Sequence, residues 1–148
     1  MNSQRFFQYI SYGKWIAWGW TLFLLTSIFL DLKHLAISNV GYAVFLAGTG
    51  LTLHSLYTPP GLIKKDLAFY KNPSFIKKIA LFFALVIAVT IFNSITLISV
   101  KHINPLLKPE IADQLIGVGY GCISLALGLV CELKTLFDRV EEAKKLKE

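Results

Sequence analysis

Two ionisable side chains, His54 and Glu132, sit inside stretches that are otherwise almost wholly apolar. Such groups are costly in an apolar surrounding and are functional candidates by default. An imidazole within reach of a carboxylate can hold or pass a proton. His54 and Glu132 lie at about the same distance from the charged ends of their stretches. Matching depth predicts that they meet, or pair with Lys14 or Lys78, at one mouth of a helix assembly. Equally, both are close enough to the charged end to snorkel to water. Asn93 is the third polar candidate, well inside the apolar run 78–100. Its amide needs a partner there, and a hydrogen bond to a neighbouring helix is expected.

Around these residues the usual machinery of catalysis is missing. The chain carries no Ser-His-Asp order, HExxH, CxxC, Walker loop or glycine-rich dinucleotide fingerprint. Cys122 and Cys131 are nine residues apart and fall on opposite faces of one helix, so they do not pair with each other. No metal site and no cofactor are expected. His34 and His102 offer two imidazoles, as a b-type haem requires, but both stand in polar loops rather than inside apolar stretches. A pore lined by Thr49, Thr52, Thr90, Asn93 and Thr96 would need an oligomer to enclose it, and no ring of carboxylates is present to select ions. The balance leans away from an enzyme.

Elements long enough to hold these residues follow from composition. Of 148 residues, 55% are hydrophobic and only 16% charged, with a mean hydropathy of +0.58. That is too apolar for a water-soluble domain of this size. A bilayer-spanning helix needs about 20 largely apolar residues, and four stretches qualify, at about 15–31, 40–57, 78–100 and 114–137. The expected fold is an all-α integral membrane protein, a four-transmembrane-helix bundle forming a single membrane domain over 1–148. If the N-terminus is cytosolic, twelve of the fifteen Lys and Arg residues fall in inside segments. Both termini are therefore expected in the cytosol, across a plasma (inner) membrane whose anionic leaflet attracts that charge. The net charge of +6 is accounted for by this asymmetry, so nucleic acid is not an expected partner.

Small residues mark where helices approach closely. Gly117, Gly121, Ser124 and Gly128 form one stripe, and Ala43, Ala47 and Gly50, followed by His54, repeat its spacing. The two stripes start at equal depth and run in the same direction, which predicts that they pack within one chain. Aromatic residues between Phe6 and Trp20 suit the headgroup level. Residues 62–71 alternate apolar and basic positions, as an interfacial helix does. The loop over 101–113 is expected to stay extended between Pro105 and Pro109. The last helix is expected to continue as a cytosolic tail over 138–148, with an apolar stripe of Leu133, Leu136, Phe137, Val140 and Ala143 in need of cover. Lys64, Lys65, Lys71, Lys77, Lys78, Arg139, Lys144 and Lys145 would then form a surface for lipid headgroups or a partner. The expected function is a membrane subunit that assembles with itself or joins a larger complex, docking a cytosolic protein through that surface. An oligomeric channel or small transporter is the alternative, and a membrane enzyme or haem-bearing redox subunit the next.

Overall fold

The structure, a computed structural model, describes residues 3–30, 37–56, 67–70 and 72–145. These are helical almost throughout, with no strand among them. In chain order the helices are α1 (Ser3–Ser11), α2 (Gly13–Leu30), α3 (Ile37–Ser55), α4 (Leu67–Tyr70), α5 (Pro73–Ile98), α6 (Val100–Ile103) and α7 (Pro109–Lys145). Four of the expected apolar stretches fall in α2, α3, α5 and α7. His34, Lys64, Lys65 and Lys71 lie outside the described residues, as do most of the expected interfacial helix over 62–71 and residues 146–148 of the expected tail.

Local chemistry sets the helix ends. Asn72 caps α5, its side-chain oxygen accepting the Phe75 N–H at 3.2 Å, and Pro73 occupies the first turn, where its missing N–H costs nothing. Pro109 opens α7 in the same way. The connection between α5 and α7 is not extended, as its prolines suggested. Ser99 breaks α5, α6 adds one more turn, and Lys101 Nζ reaches Asp113 at 2.6 Å across the loop. Prolines limit only their own N–H and the residue before them, leaving Val100–Ile103 free to coil.

The long helices pack as a row in the order α2, α3, α7, α5. Each lies against its neighbour, while α2 and α5 do not pack on one another, so among the described residues the row is open rather than a closed four-helix bundle. Residue pairings give the directions. Gly50 faces Ala17 and Trp18, and Gly13 faces Leu53, so α2 and α3 are antiparallel. Gly41 meets Gly117 and Gly121, and Gly48 meets Ser124 and Gly128, so α3 and α7 run parallel. Ser94 meets Gly119 while Ile76 meets Ala143, so α5 and α7 are antiparallel.

What lies between the helices is small. The buried positions are chiefly Ala, Gly, Ser and Thr, and among the described residues no large side chain is fully enclosed. Some buried hydroxyls bond their own helix, as Thr21 to the Ala17 carbonyl and Thr90 to the Val86 carbonyl. Large apolar side chains point outward instead. Helices α5 and α7 are both long and apolar enough to cross a membrane.

Candidate functional site

The seam between α3 and α7 brings most of the candidate residues together. Cβ atoms built at Gly121 and Gly128 would strike the carbonyl oxygens of Gly41 and Gly48, and one at Gly48 would strike the Ser124 backbone. Glycine is required at these positions because backbone meets backbone. The close approach lets side chains of one helix reach main-chain groups of the other. Ser124 Oγ donates to the Phe45 carbonyl at 3.0 Å, and Thr135 Oγ1 to the Ser55 carbonyl at 3.3 Å.

At the end of this seam His54 Nδ1 and Glu132 Oε1 share a hydrogen bond at 2.5 Å. Glu132 is largely covered, at 14% side-chain exposure, whereas His54 keeps 42%. A largely covered carboxylate with a more open imidazole beside it makes a one-sided pair, more accessible through the histidine. Its geometry suits orienting a proton or locking two parallel helices in register. Among the described residues no third His, Cys, Asp or Glu joins them to make a metal-binding group.

The predicted stripes meet differently from their spacing. Gly121, Ser124 and Gly128 line the α3 seam; the Gly117 backbone also lies against Gly41, but its open side faces outward, and a Cβ there would meet nothing within 4 Å. On α3 the face toward α7 is built from Gly41 and Gly48. Gly50 instead packs against Trp18 and Ala17 of α2, and Ala43 and Ala47 share that side of α3 by helical spacing. The reason is that α3 sits between two neighbours and carries a small face for each. A seven-residue repeat was the available signal: Gly41 and Gly48 on α3, Gly121, Gly128 and Thr135 on α7 toward α3, and Ala112, Gly119 and Ala126 on a further stripe of α7, where Gly119 meets Ile98 of α5.

Asn93 does not make the expected bond within the chain. It stands exposed on α5 with no hydrogen-bond partner among the described residues. Ser94, one residue and 100° further round, takes that role, its Oγ donating to the Gly119 carbonyl at 2.8 Å. The threonines considered for a pore are occupied as well. Thr49, Thr52, Thr90 and Thr96 each donate to a carbonyl four residues earlier on their own helix, and α7 separates α3 from α5. His102 is exposed on α6.

At the basic end the tail of α7 is already covered. Ala143 packs with Tyr70 and Ile76, flanked by Leu136 and Val140, and Arg139 Nη1 donates to the Tyr70 hydroxyl at 3.4 Å. The expected apolar stripe is thus partly satisfied within the chain, by α4 and the start of α5. Phe137 alone of that stripe remains half exposed. Lys77, Lys78 and Lys144 are exposed, and Lys145 pairs with Glu141 at 3.2 Å.

No protein-family model, curated protein or solved structure matches this chain.

Proposed function

We propose that the chain is a non-enzymatic, four-span subunit of a plasma (inner) membrane, with both termini in the cytosol, which assembles with copies of itself or with other membrane proteins. The observation that carries this is Asn93. It lies on the open face of the edge helix α5, about 10 Å inside the apolar run by the rise of seven residues, with its amide unpaired among the described residues. An amide in hydrocarbon finds a partner on another helix, and the row offers none among the described residues. A second chain laid along α5 supplies one.

The membrane setting has separate support. On α5, Leu81, Phe82, Leu85, Val89, Phe92 and Ile95 are all more than half exposed. Leaving each in water forfeits about 1.5–3 kcal/mol, and six together rival the whole stability of an ordinary domain. Lipid or protein must cover them. The basic end then serves as the docking surface, with Lys77, Lys78 and Lys144 exposed toward the cytosol.

Extraction in mild detergent with mass measurement of the intact assembly tests this. Wild type is expected to run as an oligomer or complex and N93L as a single chain; a monomeric wild type overturns the proposal. The His54–Glu132 pair favours one second reading, a proton-coupled transporter. Proton flux into liposomes that is abolished by E132Q would support it over the subunit.

A further inference from the structure

Where α5 begins and α7 ends, the two helices and Tyr70 of α4 line a groove of about 390 Å³. Its floor is apolar, made of Ile76, Phe137, Val140 and Ala143. Lys77 and Lys144 stand on its rim, and no carboxylate lines it. Neither lysine has an ion-pair partner among the described residues, whereas the adjacent Lys145 is held by Glu141. The groove therefore combines two uncompensated cations with an apolar trough.

Its level in the chain narrows what it can hold. Lys77 immediately precedes the apolar run 78–100, and Phe137 closes the run 114–137, so both mark the boundary between charged and apolar sequence. From Lys77 the same stripe of α5 continues at i+4 spacing through Leu81 and Leu85, both well exposed. A ligand with its anion at Lys77 thus finds an apolar track leading away from the charge. A soluble anion would leave that track unused, and an acidic peptide would carry polar backbone along it at hydrocarbon depth.

We propose that this groove seats one anionic phospholipid, its phosphate between Lys77 and Lys144 and its acyl chain along Leu81 and Leu85. The proposal rests on the membrane reading above and deepens it by naming the lipid class and the site. Basic pockets between helices at the cytosolic surface bind lipid headgroups through the same combination of charge and shelter. Occupied, the site would tie the tail of α7 to the start of α5 and fix the docking surface at the headgroup plane.

The test uses the full chain in vesicles of phosphatidylcholine and phosphatidylglycerol with identical acyl chains. Flotation is measured first, and lipids retained after mild extraction are then counted by native mass spectrometry. One phosphatidylglycerol per chain is expected, with about a 30-fold preference over phosphatidylcholine from two lysines. K77Q/K144Q is expected to bring the preference close to parity. K134Q, which removes a charge from the same end but outside the groove, is expected to leave it intact. Equal losses in K134Q and the double variant would mean general surface charge and overturn the site, as would unchanged retention in K77Q/K144Q. Displacement by glycerol phosphate as effective as by the lipid would overturn the role of the apolar track. Wild type that floats without preferring phosphatidylglycerol overturns the site alone, and wild type that does not float overturns the membrane reading with it.

Discussion

Gly117 and Gly121 form one GxxxG motif, yet alanine at the two positions is expected to act with opposite sign. A Cβ at residue 121 would stand 2.6 Å from the Gly41 carbonyl oxygen, whereas ordinary contact begins at 3.4 Å. The obstacle is backbone, which cannot rotate away, so α3 and α7 must separate by about 0.8 Å. A gap of that size forfeits a quarter to a half of the dispersion energy of each seam contact, and overpacking of this kind costs about 1–3 kcal/mol. Replacing a helical glycine returns about 0.4–1 kcal/mol through the unfolded chain. The net for G121A is a loss of roughly 1–2 kcal/mol. G117A meets nothing within 4 Å and should show only the gain of about 0.4–1 kcal/mol. The two variants then differ by about 2 kcal/mol, about 30-fold in the unfolding equilibrium. Reversible unfolding in mixed micelles of increasing dodecyl sulfate content, followed by far-UV circular dichroism, measures this difference. Equal destabilisation by both alanines, or a G121A more stable than wild type, would refute the backbone contact between Gly41 and Gly121.

Three other outcomes follow from particular contacts. H54A strands the largely covered Glu132, whereas E132A leaves a half-open imidazole. H54A should therefore cost more in the same unfolding assay, within the roughly 1–3 kcal/mol range for a lost buried partner. S94A removes the bond to the Gly119 carbonyl and is expected to lower stability by about 0.6–1.7 kcal/mol, while N93A leaves the stability of the single chain unchanged; reversal of that order would contradict the orientation of α5. Deleting 138–148 uncovers Tyr70 and Ile76, now 8% and 6% exposed. Each loses part of a burial term of about 1.5–3 kcal/mol, and proteolysis between Leu67 and Pro73 should accelerate, which an unaltered cleavage rate would exclude.

Helix positions were legible because hydropathy and length set them. The ends of α5 and α7 were signalled by Asn72-Pro73 and Pro109, local chemistry that acts without tertiary help. Equal depth was legible too, since counting residues from the charged ends placed His54 level with Glu132 before any packing was known. Rotation was not. Asn93 and Ser94 differ by 100° about one axis, and the sequence favoured the more polar of them for the interhelical bond, whereas the smaller one faces α7. Likewise Ala43, Ala47 and Gly50 read as the partner face for α7, but Gly41 and Gly48 hold that place.

By itself, the sequence determined the apolar stretches, the concentration of positive charge at one end, and the small residues that permit close approach. Only the tertiary structure decided which small face meets which neighbour, that α7 stands between α3 and α5, and that the tail packs back on Tyr70 and Ile76. The reason is physical. In water an apolar stripe identifies the buried face of a helix, because the opposite face must be polar. The apolar parts of α2, α3, α5 and α7 are apolar nearly all round, and in the proposed membrane setting hydrocarbon is as apolar as a neighbouring helix. Polarity then carries no information about rotation, and steric fit at Gly48, Gly121 and Gly128 decides it.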